Sequence, residues 1–231
     1  MRFKLLTPAA SNAKMKKNDT DNYLGAILHL APHALSGFNV CPWASEGCAK
    51  ACLNTAGRGA FSNVQAARIR KTQLLRSNRE LFDNYLREDL DLLLRTATKR
   101  GLKPYARLNG TSDLDWLGLI REFSDIQFYD YTKSIGRIKR HRQYDIANYQ
   151  ITFSASESNH KETCEALAMG INVAMVFDTI PETYNNYKVI NGDASDLRFL
   201  DPSEPIGLIV GLKAKGKAKQ DKTGFVRRIN I

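Results

Sequence analysis

The sequence has no apolar run approaching the roughly 20 residues a membrane helix needs. Its N-terminus, Met1 to Pro8, starts basic but carries an apolar stretch too short for a secretory signal. Cysteine is scarce, four residues in 231, whereas a secreted disulfide framework is usually smaller and denser in cysteine. There is no internal repeat, no low-complexity tract, and no RNA-recognition or helix-turn-helix signature. Together these absences point to a cytoplasmic protein without a membrane partner, in a compartment where thiols stay reduced.

What remains is ordinary for a globular chain, with 43% hydrophobic and 25% charged residues. Its length suits one sizeable core, read here as a single domain over residues 1–231. The net charge of +10 is concentrated in Lys14, Lys16 and Lys17, in Arg137 to Arg142, and in the C-terminal stretch from Lys213 to Arg228. Such a field favours a phosphate-bearing or nucleotide substrate, or nucleic acid. A solvated, nonspecific basic surface is the plain alternative, and residues 214–231 read as a basic tail.

Apolar spacing organises the middle of the chain. A long helical pattern covers Phe61 to Lys99, with a break at Ser77-Asn78, whose side chains favour caps, and a stop at Gly101. Strands are expected over Tyr105–Leu108, Ile126–Tyr131, Gln150–Ser154, Ile171–Phe177, Tyr187–Ile190 and Leu208–Leu212, with helices between the first four. Alternation of strand and helix implies parallel pairing through right-handed crossovers. The fold class is α/β. A partial barrel and a doubly wound open sheet both fit the spacing.

Three of the four cysteines fall in one loop, residues 38–60: Cys41, Cys48 and Cys52. Cys48 and Cys52 are four apart, so one helical turn would align their thiols, and Pro42 and Gly47 let the loop bend Cys41 toward them. Thiolates are the ligands of iron–sulfur clusters, and three of them on a [4Fe–4S] cube leave one iron open. Zinc is the rival: it wants four ligands, often in C-x2-C pairs that are missing here, and would draw on Cys164, His29 or His33. A catalytic thiol without metal is a third reading. Cys164 itself reads as a small buried hydrophobe on a helix.

A resemblance adds to this. The chain is similar to a group of uncharacterised bacteriophage proteins through Cys41-Pro42-Trp43-Ala44-Ser45-Glu46-Gly47-Cys48, Val64-Gln65-Ala66-Ala67-Arg68, Asn191 to Arg198, and Gly211 to Gly216. A cysteine triplet after a first strand and before a long helix also resembles the radical S-adenosylmethionine (radical SAM) superfamily. That likeness implies a parallel-stranded partial barrel of the triosephosphate-isomerase type, a cluster at its C-terminal mouth, and S-adenosylmethionine on the open iron. It further implies an electron donor such as a ferredoxin or flavodoxin, in the host cytoplasm if the protein is phage-encoded. The spacing departs from the superfamily, C-x6-C-x3-C in place of C-x3-C-x2-C, and Asn109-Gly110-Thr111-Ser112 stands where a Gly-Gly-Glu segment commonly holds the cofactor.

In such a barrel, polar residues at the strand ends face the cluster. Arg107, Asn109, Ser156 and Asp178 are the cofactor-binding candidates, alongside Asp113, Asp130, Thr132, Lys133, Ser154 and Glu157; each could instead cap a helix. Asp193, Asp196 and Arg198 form a polar run with either ligand-binding or structural use, and Lys213, Lys215 and Lys217 suit an anion site. Three functions follow: a radical-SAM-like enzyme, a non-catalytic redox cluster protein, and a zinc-stabilised nucleic-acid-binding module.

Overall fold

The computed structural model of the protein describes residues 3–9 and 22–229. The basic trio Lys14, Lys16 and Lys17 lies outside the described residues. The strands are β1 (Leu6–Pro8), β2 (Tyr23–Leu28), β3 (Lys103–Arg107), β4 (Gln127–Thr132), β5 (Tyr149–Ser154), β6 (Val173–Phe177), β7 (Thr183–Tyr184), β8 (Tyr187–Asn191), β9 (Ile209–Lys213) and β10 (Val226–Arg227). The helices are α1 (Glu46–Lys50), α2 (Ser62–Ser77), α3 (Arg79–Lys99), α4 (Leu117–Glu122), α5 (Ile135–Tyr144) and α6 (His160–Ala168).

The helical break falls where expected. Asn78 accepts a hydrogen bond from the Leu81 N–H (2.9 Å) and so caps α3, while α2 ends at Ser77. Gly101 follows the end of α3 with φ +64°, the left-handed conformation that closes helices at least cost for a residue without Cβ.

Ten strands form one mostly parallel sheet in the order β1-β2-β3-β4-β5-β6-β9-β8-β7. From β2 to β6 each strand lies beside its predecessor in sequence, and every neighbouring pair is parallel. The two antiparallel pairs, β1 with β2 and β7 with β8, are at the two ends of this order.

A doubly wound sheet reverses its strand order and carries helices on both faces. Here α2 to α6 lie on one face. Leu75, Phe82, Leu86, Leu90, Ile120, Ile138 and Ala166 from those helices share a single core with Leu28, Ala106, Phe128, Ile151, Phe153 and Phe177 from the strands. The winding is therefore single, and the doubly wound alternative is set aside. The opposite face carries a smaller cluster of Ile27, Tyr105, Tyr129 and Leu197, ringed by Tyr23, Tyr131 and Phe199.

The N-terminal strand is locked to α3 by a buried carboxylate. Asp89 accepts hydrogen bonds from the N–H groups of Leu5 (2.7 Å) and Leu6 (2.9 Å), while the Lys71 ammonium donates to the Leu5 carbonyl. These bonds satisfy backbone groups that would otherwise be buried without partners.

At its C-terminal edge the sheet splits. β5 pairs with β6 only at Val173 and Ala174; beyond that, β10 takes its place beside Val176 and Phe177. Arg227 of β10 donates to the Ser156 carbonyl (2.8 Å), tying the wedge to the loop after β5. The C-terminal segment is thus built into the fold, not a solvated tail. Ala214, Ala218 and Val226 form a small core with Ala51 of the cysteine loop.

Candidate functional site

The cysteine loop lies across the C-terminal edge of the parallel strands, the end where open and closed α/β sheets alike place their ligands. Asn39 fixes its entry: the side-chain oxygen accepts from the Cys41 N–H (2.8 Å). The Cys41 thiol reaches the Thr111 carbonyl in the loop after β3 (3.6 Å) and accepts from the His33 N–H (3.4 Å). His33 takes part through its backbone, at φ +48°, while the residue is exposed.

Cys48 belongs to α1, which has only five residues and cannot stand by itself. Two things hold it. Ser45 caps it, accepting from the Cys48 N–H (3.2 Å). The Glu157 carboxylate, in the loop after β5, accepts from the Ser45 hydroxyl (2.8 Å) and from the Gly47 N–H (2.7 Å). Gly47 is required for close approach, not for bending: a Cβ there would stand 2.2 Å from Thr223 Oγ1 and 2.6 Å from Phe225 Cβ. Asp221 in turn fixes that C-terminal segment, accepting from Thr223 Oγ1 (2.7 Å) and the Val226 N–H (3.0 Å).

Cys52 departs from expectation. α1 stops at Lys50, Ala51 forms its cap, and Cys52 has the extended ψ of 131°. No continuous helical turn carries Cys48 and Cys52, because the chain must turn there to lay Ala51 against Ala214 and Ala218. Loop folding, and not a shared helical turn, sets where the two thiols lie.

All three cysteines are half-buried free thiols. Burial pushes the Cys41 thiol up to about 11, and Cys52 and Cys48 add to the rise as neighbouring negative charges. Burial likewise raises Cys52; Cys48 adds to this, whereas the Asn54 N–H, Arg68 and Lys133 work against it. The triplet is therefore close enough for its members to sense each other, with cations beside Cys52. Arg68 donates to Asn54, and its buried Nε has no hydrogen-bond partner among the described residues. Lys133 donates to Ser154 Oγ (3.0 Å). Among the described residues, no three His, Cys, Asp or Glu side chains are arranged as a ready-made ligand set for a metal ion. The donor set is chemically suited to iron–sulfur ligation, and the loop must draw the thiols inward to use it.

The other expected site residues are distributed differently. Asn109 is the pivot of a buried network: its amide donates to Asp130 (3.0 Å) and the Leu114 carbonyl, and its oxygen accepts from Ser112, the Leu114 N–H and Trp116 Nε1. Asp113 accepts from Thr132, the Lys133 N–H and Arg137. Burial lifts the Asp130 carboxyl to about 6, although Arg137, Arg107 and Asn109 pull it back. These groups hold the strand ends together.

Arg107 lies on the sheet face away from the helices. It pairs with Asp196 (3.3 Å) and lies over the Tyr131 ring, 4.6 Å from its centroid. Burial opposes its charge, but Asp196 and the two tyrosines outweigh that and keep it protonated more firmly than usual. Ser156 is buried, bonding to Asn159 and Ser158. Asp178 accepts from the N–H groups of Thr179 and Ile229. The four cofactor candidates, Arg107, Asn109, Ser156 and Asp178, are thus committed to internal partners and do not converge around the thiols.

Two further expectations change. Cys164 is exposed, because the buried stripe of α6 runs through Thr163, Ala166 and Leu167 and leaves position 164 outside. Asp193 does not join Asp196 in a ligand pair: it binds the Lys215 ammonium (2.8 Å) and the Lys213 N–H, which also spends that lysine end of the expected anion site. Arg198 is buried against Asp201 (3.2 Å).

His29 follows β2. Burial lowers it to about 3, aided by Arg68, Arg107 and Lys71 and opposed by Asp196, so the ring is neutral. The His29, Arg68 and Arg107 grouping was not legible in sequence, since its members come from a strand end, a helix and another strand.

Comparison with known proteins places the chain in a lineage. The family model described as Gene product 88 matches residues 4–229. The chain belongs to the Gene product 88 family. Among curated proteins it is similar to the "Gene 88 protein" of Mycobacterium phage D29, at 28% identity over 156 residues. That match covers 63% of this chain and 64% of the phage protein, so the chain aligns with less than two thirds of that relative. No solved structure matches. Among the described residues no helix is long and apolar enough to cross a membrane.

Proposed function

We propose that this Gene product 88 protein carries a [4Fe–4S] cluster on Cys41, Cys48 and Cys52, with one iron left open. The observation that supports the reading is three half-buried free thiols on one loop that is held at the C-terminal edge of a parallel sheet by Thr111 and Glu157. Arg68 and Lys133 supply positive charge where a thiolate-ligated cluster is negative. A cluster bound there would supply one-electron chemistry, fed by a donor of the ferredoxin or flavodoxin type. The residues around it act on the protein side: Asn39 orients Cys41, Ser45 and Glu157 hold the turn bearing Cys48, and Asn54 holds Arg68 against Cys52.

The radical-SAM-like form of this reading, with S-adenosylmethionine on the open iron, draws on the single winding of strands β2 to β6. A partial barrel is wound in that sense. A second form, electron transfer or redox sensing without cofactor cleavage, draws on a different observation: Asn109, Ser156 and Asp178 are spent on internal bonds and leave little polar capacity for a bound cofactor. Anaerobic purification followed by dithionite and S-adenosylmethionine separates them. A brown protein with a reduced-cluster electron paramagnetic resonance signal and 5′-deoxyadenosine formation supports the enzyme. The same signal without 5′-deoxyadenosine supports the redox protein. A colourless protein holding one zinc removes both.

A further inference from the structure

The helix-free face of the sheet carries a polar layer at its C-terminal edge. Arg107 of β3 stands beside Ile27 of β2, and the pairing of Ala106 with Phe128 sets it against Tyr129 of β4. Side chains alternate along a strand, so Tyr131, two residues past Tyr129, follows on the same face. Its ring centroid lies 4.6 Å from the Arg107 guanidinium carbon. His29, two residues past Ile27, flanks Arg107 from the β2 side, with Arg68 and Lys71 as its other cationic neighbours. Burial and these cations keep its ring neutral. His29, Arg107 and Tyr131 are half-buried, whereas Ile27, Tyr105 and Tyr129 below them are buried. The polar layer is thus the part of this face that solvent reaches.

Two donors of that layer are unspent. The Arg107 Nε and the Tyr131 hydroxyl are buried atoms without a hydrogen-bond partner among the described residues. Arg107 commits a terminal nitrogen to Asp196 (3.3 Å), which also accepts from the Tyr129 hydroxyl (3.1 Å). A buried donor left without an acceptor is destabilising, and native folds keep few of them. Two such donors on adjacent strands, in contact with each other, mark a place for an acceptor from outside the chain.

Charge decides which acceptor. Around His29 the cations Arg68, Arg107 and Lys71 outnumber the carboxylate of Asp196. Asp89 offsets Lys71, and Asp130 bears on Arg107 but is engaged by Asn109. The remaining excess is positive, which favours an anion over a neutral carbonyl. Donors arriving from the end of β2, from β3 and from β4 suit a tetrahedral group. Its oxygens point in more directions than the two of a planar carboxylate.

We infer that His29, Arg107 and Tyr131 form a subsite for the phosphate group of a small-molecule substrate. The inference names a substrate class for the site proposed above and rests on reading this strand edge as that site. Binding of the anion itself needs no cluster.

The test is the thermal-melt shift of the full-length protein with inorganic phosphate at fixed ionic strength, repeated on the Cys41→Ala/Cys48→Ala/Cys52→Ala variant. A rise in melting temperature with phosphate is expected in both, because a ligand of the native state alone stabilises it. Tyr131→Phe removes a hydroxyl without a partner among the described residues, so its melt without phosphate stays at or above the wild-type value. Its dissociation constant for phosphate rises about tenfold, near the low end for a hydrogen bond to a charged group. Arg107→Lys keeps a charge for Asp196 but lacks the Nε donor, and it weakens phosphate binding at least as much. Succinate binds more weakly than phosphate.

No shift with phosphate, unchanged affinity in Tyr131→Phe, or equal binding of succinate would each overturn the inference. Phosphate binding by a protein without iron or sulfide would leave it standing and remove the cluster. A cluster without phosphate binding would do the reverse.

Discussion

Two regions of this molecule are built on opposite plans. The helix-bearing face of the sheet buries Phe82, Leu86, Leu90, Phe128, Phe153 and Phe177 in one continuous core. The cysteine loop has one five-residue helix and two single-turn helices, half-buries its thiols, and exposes Trp43 and Leu53. The first region gains its order from apolar burial, at about 25 cal/mol per Å2 of surface removed from water. The second depends on a few hydrogen bonds from distant residues, chiefly Glu157. The contrast teaches that the sheet is a self-supporting scaffold, whereas the loop is held in place by partners from elsewhere in the fold.

The largest expected effect belongs to the scaffold. Phe82 is fully buried and stacks on Trp116 at 6.0 Å. Phe82→Ala is expected to cost about 3–5 kcal/mol in urea unfolding, with or without any cluster. A loss confined to the loop, with the unfolding midpoint unchanged, would break the distinction between the regions.

Asn109 comes next. Asn109→Ala leaves Asp130, Trp116 Nε1 and Ser112 short of partners, and about 2–3 kcal/mol of global stability is expected to go. The readout is denaturation of metal-free protein. An unchanged midpoint with impaired ligand binding would return Asn109 to the site.

Glu157→Ala sharpens the comparison from the other side. It removes two hydrogen bonds from the start of α1, so local opening becomes easier by about 2 kcal/mol, the scale of bonds to a charged group. Hydrogen exchange at the Gly47 and Cys48 amides is expected to accelerate roughly thirtyfold, while strand amides of β4 and β5 stay as protected as before. Uniform acceleration would mean that the loop is part of the scaffold.

Acid sensitivity gives the smallest net effect, because two buried groups act in opposite directions. His29 has a folded pKa of about 3 against an ordinary 6.5, so the unfolded chain binds the proton more readily and stability is lost as pH falls from 6.5 toward 3. Asp130, at about 6 against 3.8, works oppositely: its folded form binds the proton better, and stability falls as pH rises from 3.8 to 6. His29→Gln should flatten the acid limb and Asp130→Asn the opposing one, each followed by urea midpoints across that range. Identical profiles for wild type and both variants would contradict these burial effects.

The scaffold was largely legible in the sequence. The nearly continuous apolar run over Ile171–Phe177 became β6, and the Ser77-Asn78 break separates α2 from α3, since both are local signals. The two-residue strand β10 was not legible, because nothing in Val226-Arg227 announces pairing with Val176-Phe177; tertiary closure alone decides it. Single winding was also hidden, because strand spacing does not encode neighbour order. At the site, the placing of three cysteines on one loop was readable from spacing, but what holds that loop was not. The carboxylate that holds α1 belongs to Glu157, far along the chain, and Cys48 and Cys52 do not share a helix.

Iron and acid-labile sulfide per chain, measured on protein purified without oxygen, test the central claim most directly. The account predicts close to four of each in the wild type. Both should vanish in the Cys41→Ala/Cys48→Ala/Cys52→Ala variant, while its urea midpoint stays near that of metal-free wild type. Iron and sulfide absent from the wild type after reconstitution, or retained undiminished in the triple variant, would contradict it.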